Sequence, residues 1–218
     1  MTAGRPVAGE PARADREPAL VRLDDAIRRL TQLTRGRVAT GVHHHAADDD
    51  RGTATCDDAI GFDPRPLLLT LSRHQAPVVV IGQVAGILHG SADLTGDLDL
   101  LWDGGAAQRA ALAAGFSAAG ATLFDDDERP VPCTPETFEL PKISFRSRFA
   151  SGDCCTPNLP WKELPVREFI DRARSVRWSD GHIIRYVDLP DLNEMRRAAG
   201  RPKDLRRLRE FDRRRPEP

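Results

Sequence analysis

Val78–Asp103, VVVIGQVAGILHGSADLTGDLDLLWD, is the stretch on which the fold turns. Its opening run, Val78 to Ile81, is β-branched and uniformly apolar, the signature of a strand buried on both faces. Gly82-Gln83 then turns the chain into a short helix that ends at His89-Gly90-Ser91. DLDLLW alternates at its start, as a strand with one wet face does. Side chains two apart in a strand point the same way, roughly 7 Å apart along the chain. Asp97 and Asp99 therefore project together. Two readings follow: a solvated polar stripe at a strand end, or a pair of hard oxygen ligands for Mg²⁺ that leaves positions open for phosphate oxygens. The glycine turn, which lets a ligand approach the backbone, and the unpaired N–H groups of a helix start favour the second.

Upstream, residues 1–18 are rich in Pro, Ala, Gly, Arg and Glu and read as disordered. Leu20, Leu23, Ile27, Leu30 and Leu33 recur at helical spacing, which predicts an amphipathic helix over 19–36. Residues 37–61 lack periodicity and read as a linker. Their HHH and DDD runs suit a solvated loop better than a metal site, because a flexible tract does not fix a coordination geometry. The compact core is expected over 62–188. It starts with a helix that has Asp63 as N-cap and Pro64 at its first position. AAQRAALAAG reads as a helix closed by Gly115. ATLFDD and KISFRSRF read as strands, VREFIDRARSV as a helix, and VRWSDGHIIRYV as a hairpin turning at Asp180-Gly181. A basic helical segment, 189–218, closes the chain, with Gly200 as an internal stop. Strands and helices mix without strict βαβ alternation, so the fold class expected is α+β, a mixed sheet flanked by helices.

The formal net charge of −1 gives no global argument for nucleic acid. No apolar run is long enough to span a membrane, and the N-terminus lacks a secretory pattern. Cys56, Cys133, Cys154 and Cys155 show no CxxC spacing and two are adjacent, against zinc or a disulfide framework and in favour of a reduced cytoplasm. Local charge is more informative. Arg196–Arg215 holds ten Lys or Arg against three acids, a footprint of phosphate binding. Arg206, Arg207, Arg209 and Arg213–Arg215 read as a solvated helix face, and Asp204 as a cap of the last helix or a partner of Arg201. His89 and the three tryptophans, Trp102, Trp161 and Trp178, read as packed or semi-buried.

Gly82-Gln83, His89-Gly90-Ser91, Thr95 and Asp97-Leu98-Asp99, in that order, resemble the nucleotidyltransferase superfamily that shares the DNA polymerase β palm. A second block, DLPDLNEMRRAAGRPKDLRRL, is similar to the C-terminal signature of small bacterial members, closest to the AbiEii-like group, which includes toxins of toxin–antitoxin pairs. The likeness covers roughly residues 62 to 210. It implies transfer of a nucleoside monophosphate from an NTP to an acceptor hydroxyl, on RNA such as tRNA or on a protein, with a cognate antitoxin as a further partner. It also implies that Asp97 and Asp99 hold Mg²⁺, with one or two ions. Gly82, Gln83 and Ser91 would receive the triphosphate, and Arg196, Arg201 and Lys203 would neutralise phosphate.

The departures fall on working positions. Gln83 narrows the turn, Gly96 stands where the group often has Arg, and Arg196 replaces a lysine of different shape. In SGDCCTP, Cys155 occupies the place of the expected third carboxylate. Asp153, two residues earlier, shares its face if this segment is a strand and does not if it is a loop. Two rivals therefore stand beside the enzyme: a catalytically degenerate nucleotide- or RNA-binding relative, and an interaction module whose helix 19–36 meets a partner or covers the domain's own apolar surface.

Overall fold

The computed structural model of the chain describes residues 17–43, 52–178 and 180–213. The HHH/DDD tract (His43 apart), most of the N-terminal segment and the last five residues lie outside them. Among the described residues are seven α-helices and one eight-stranded mixed sheet, a mixed α/β architecture compatible with the α+β expectation. In chain order the elements are α1 (Pro18–Thr34), α2 (Arg65–Arg73), β1 (Val79–Val80), α3 (Gly82–Leu88), β2 (Leu100–Leu101), α4 (Arg109–Ala118), β3 (Thr122–Phe124), β4 (Pro130–Val131), β5 (Lys142–Arg146), β6 (Ser151–Cys155), α5 (Val166–Asp171), β7 (Arg174–Arg177), β8 (Ile183–Tyr186), α6 (Leu189–Ala199) and α7 (Pro202–Asp212). The sheet runs β4-β3-β5-β6-β2-β1-β8-β7. β2 lies parallel to β6 and antiparallel to β1, and β1 lies parallel to β8. No helix among the described residues is long and apolar enough to cross a membrane.

Two central strands, β1 and β2, carry the apolar residues that the sequence marks. Val79, Val80, Leu100 and Leu101 are fully buried. The stripe of α1 is spent inside the molecule: Leu20, Leu23, Ile27 and Leu30 are buried and only Leu33 is exposed. Arg22 fastens this helix to the end of α3, donating from Nε to Leu88 O at 2.9 Å. The covering role of this helix is thus seen directly.

Several expected boundaries move. α2 begins at Arg65 with Pro64 in the cap position, so Asp63, the expected cap, stands one residue earlier, where its Oδ1 accepts the Arg65 N–H at 3.0 Å. α4 runs through Gly115, which is buried; a Cβ there would come within 2.9 Å of Leu71 Cδ2. That glycine allows α2 and α4 to approach, and is not a stop. VREFIDRARSV divides into α5 and the start of β7, because Arg174–Arg177 pairs with β8. Gly200, at φ +67°, ends α6 in the left-handed conformation expected of a C-cap glycine.

Residues 52–61 are not a linker. They form two 3₁₀ turns, Thr53–Thr55 and Asp57–Ala59, and Thr53, Cys56 and Ala59 are buried. Arg37 pins this segment by donating to Ala54 O at 3.1 Å, and Asp58 Oδ1 accepts from Ser151 Oγ of β6 at 2.8 Å. The segment also explains Gly96. A Cβ at that position would lie 2.6 Å from Ala59 N and 2.7 Å from Ala59 Cα, so no side chain fits.

Candidate functional site

One cavity of about 370 Å³ opens where β1, β2 and β6 meet α6 and α7. Asp97, Asp99 and Asp153 line one side of it, and Arg196, Arg201 and Lys203 line another. Gly82 and Gln83 lie on its wall. Of the residues that the sequence reading placed at phosphate, Ser91 alone is elsewhere.

The acidic wall follows from strand alternation. Leu98 and Leu100 are fully buried, which turns Asp97 and Asp99 to the opposite face. The pairing is longer than β2 itself, for Ile81 N donates to Asp99 O at 2.9 Å and Leu98 N donates to Ser151 O at 2.9 Å. Gly152 makes the second contact possible: a Cβ there would fall against the Leu98 backbone, 2.8 Å from its nitrogen. The carboxylate of Asp99 lies over Gly82, whose φ is +61°. A Cβ on Gly82 would land on Asp99 Oδ2 and come within 2.9 Å of its Cγ. Glycine at 82 is therefore demanded twice, by backbone conformation and by Asp99.

Asp97 is held by hydroxyls. Thr53 Oγ1 donates to Asp97 Oδ1 at 2.6 Å, Thr95 Oγ1 bonds the same oxygen, and the two hydroxyls lie 2.7 Å apart. Gly96 N in turn donates to Thr53 Oγ1 at 3.0 Å. Thr53 was not singled out from sequence, because it lies in a stretch without periodicity and reaches the site only through tertiary packing.

Asp153 lies in a strand, and the loop alternative fails. In β6 it sits opposite Ser144, whose Oγ donates to Asp153 Oδ1 at 2.7 Å, and Lys142 Nζ stands 3.8 Å from Oδ2. Parallel pairing of Leu100 with Cys154 sets Asp153 level with Asp99. Cys155 faces the same cavity. Burial raises its thiol well above the usual range, and the charges of Asp153, Cys154 and Asp99 add to the shift. It is thus a neutral thiol at physiological pH. For Lys142, burial acts to lower its pKa, but Asp153 and Asp126 outweigh it and hold the ammonium above its ordinary value.

The basic wall comes from α6 and α7. Arg196 is only 4% exposed, and burial, reinforced by Arg207, pushes its guanidinium down to about 10. Its Nη2 donates to Gln83 Oε1 at 2.9 Å, while its Nη1 is buried with no hydrogen-bond partner. Gly86 makes room for this arginine, since a Cβ there would strike Nη2. Gln83 is fully engaged: its Nε2 donates to Ser91 Oγ at 2.9 Å and to Asp93 O at 2.8 Å. The amide expected at phosphate instead orients Arg196. Ser91, also expected at phosphate, donates to Glu210 Oε2 at 2.6 Å and ties α7 to the end of α3. α3 has seven residues, so its dipole adds little to the site.

α7 turns its charges inward. Lys203, Asp204 and Arg207 are buried while Leu205 is 42% exposed. Arg207, expected on a solvated face, has Nε 3.4 Å from Asp93 Oδ2 and packs on Gly52, whose Cβ would lie 3.3 Å from its Nη2. Arg206 also reaches Asp93, at 3.3 Å. Asp204 pairs with Arg201 at 2.7 Å, the orienting contact that the sequence allowed. His89 stays out of the site; its Nε2 is 2.8 Å from Val187 O, and burial lowers its pKa. Trp161, read as semi-buried, lines the cavity beside Leu192, Met195 and Ala199.

Among the described residues no group of three or more His, Cys, Asp or Glu side chains is close enough to hold a metal ion by itself. Mg²⁺ does not require such a cage. It is commonly held by one or two carboxylates with waters and substrate phosphates completing the octahedron. Two carboxylates of hard oxygen donors facing a buried guanidinium fit that mode of binding. No protein-family model matches the chain, and no curated protein matches it either.

Proposed function

We propose that this chain is an Mg²⁺-dependent nucleotidyltransferase with the polymerase β-like palm fold. It would move an NMP from an NTP to an acceptor hydroxyl on RNA such as tRNA or on a protein, as the toxin of a toxin–antitoxin pair. The observation that carries the reading is one cavity with three carboxylates on one side and, on the other, a buried arginine whose Nη1 has no partner. A buried guanidinium nitrogen without a partner costs roughly 1–3 kcal/mol. An anionic oxygen entering the cavity removes that cost, which gives the site affinity for phosphate.

Asp97 and Asp99 would hold the ion, which supplies charge neutralisation and orientation for in-line displacement at phosphorus. Thr53 and Thr95 fix Asp97 in place, so the carboxylate needs no reordering when substrate enters. Arg196 takes a phosphate oxygen through Nη1, steadied by Gln83, and Lys203 adds charge on the same wall. Asp153 accepts the proton of the acceptor hydroxyl, because the neutral thiol of Cys155 cannot. Positioning and charge stabilisation carry most of phosphoryl transfer, so this inventory is sufficient in kind.

The test is label transfer. Purified protein with Mg²⁺, each of the four α-labelled NTPs and total RNA is expected to label RNA or protein, and Asp97→Ala to abolish it. No transfer with any NTP removes the reading. A second reading, a degenerate nucleotide- or RNA-binding relative, is favoured by Cys155, a thiol where the resemblance expects a carboxylate. It predicts Mg²⁺-dependent nucleotide binding without transfer, and transfer gained in Cys155→Asp.

A further inference from the structure

Part of the cavity lining is not used by the chemistry of phosphate. Trp161, Leu192, Met195 and Ala199 belong to that lining, and none of them carries charge. Trp161 is half-buried. Its indole is fixed by its polar edge: Nε1 donates to Thr156 O at 2.8 Å. The adjoining Lys162 clamps this loop to the end of α6, with Nζ 2.5 Å from Ala198 O. The loop that carries the ring is therefore tied to the same helix that presents Arg196. A ligand that meets a buried, half-satisfied guanidinium and a fixed indole in one cavity is an anion with a planar apolar part.

The amide and hydroxyl side chains among the described lining residues are already engaged. The Gln83 amide is spent on Ser91, Asp93 and Arg196, and the Thr53 and Thr95 hydroxyls are spent on Asp97. Among the described residues no uncommitted amide or hydroxyl side chain remains on the lining to read the hydrogen-bonding edge of a base. Stacking on an aromatic face is tolerant of sequence, since every base has a π-face.

Resting on the phosphate site proposed above, we infer that Trp161, backed by Leu192, Met195 and Ala199, is the platform on which the nucleobase of the bound nucleotide stacks, and that the site takes bases by their faces and not by their edges. The protein thereby separates nucleotides from inorganic polyphosphate while discriminating weakly among bases.

The experiment is calorimetric titration of the full chain with Mg²⁺ and three probes: α,β-methylene-ATP, α,β-methylene-CTP and inorganic tripolyphosphate. Both nucleotides are expected to bind at least tenfold more tightly than tripolyphosphate and within about tenfold of one another. Trp161→Leu is expected to weaken both nucleotides about tenfold, roughly 1.4 kcal/mol, and to leave tripolyphosphate unchanged. Trp161→Phe, which keeps a ring but loses the bond to Thr156, is expected to stay within about threefold of the native chain. Nucleotide binding no tighter than tripolyphosphate overturns the platform and leaves the phosphate site standing. Loss of tripolyphosphate binding in Trp161→Leu marks a structural role and overturns it as well. A preference beyond about thirtyfold between the two nucleotides overturns recognition by faces. Failure of all three probes to bind removes the phosphate site and the platform together.

Discussion

Replacing Gly82 with alanine tests the contact on which the candidate site is built. Two costs add at this position. The backbone holds φ at +61°, and an L-residue in that region costs roughly 1–2 kcal/mol. The new Cβ also falls on Asp99 Oδ2 and within 2.9 Å of Asp99 Cγ, and forcing a methyl group into filled space costs typically about 1–3 kcal/mol. The sum is about 2–5 kcal/mol. Gly200 is the internal control: its φ is +67°, but the nearest atom to a Cβ is Arg197 O at 3.6 Å, so Gly200→Ala should cost about 1–2 kcal/mol from conformation alone. The assay is urea unfolding followed by circular dichroism for both single variants, for Asp99→Ala and for the pair Gly82→Ala/Asp99→Ala. Removing the Asp99 carboxylate clears the space, so the double variant should be about 1–3 kcal/mol more stable than the two single effects predict when added. Equal costs at positions 82 and 200, with additive behaviour in the pair, would refute the placement of Asp99 over the backbone of Gly82.

Thr53→Val should destabilise by about 1–3 kcal/mol, because Asp97, Thr95 and the Gly96 N–H all lose a partner, and Thr53→Ser should restore most of it; a urea midpoint unchanged in the valine variant would show that the hydroxyl is idle. Burial raises the thiols of Cys56, Cys154 and Cys155. The unfolded chain then loses protons first as pH climbs past about 9, so stability present below that pH should fall steadily through pH 10–11. Unfolding free energies at pH 8 and 10.5 check this, and a slope no different in Cys154→Ala/Cys155→Ala would contradict it. The lowered pKa of His89 works in the other direction. The unfolded histidine takes up a proton first as pH falls below about 6.5, so stability should decline toward pH 5. His89→Phe should flatten that limb, and an unaltered pH profile would count against a neutral His89.

Sequence periodicity was sufficient for the elements that bury a run of their own: α1, β1 and the stop of α6 at Gly200 can be read from local pattern. The side-by-side projection of Asp97 and Asp99 was legible for the same reason, since period two is a property of the strand. Elements whose borders depend on a neighbour were not. Gly115 looks like a helix stop because glycine lowers helix propensity, yet α2 packs against it and outweighs that cost. Arg174–Arg177 continues a helical pattern in sequence but gains a ladder with β8.

By itself the chain's order of residues determined which carboxylates share a face and that a mixed sheet would carry them. Only tertiary structure decided who partners whom. It brought Thr53 across from an aperiodic stretch to Asp97, engaged Gln83 and Ser91 inside the wall, left Arg196 Nη1 unpaired, and turned Trp161 to the cavity. The physical reason is range. Strand alternation and helix periodicity act over a few residues, whereas each of these hydrogen bonds or vacancies depends on atoms eight to more than a hundred positions away, whose meeting is set by the packing of the whole sheet.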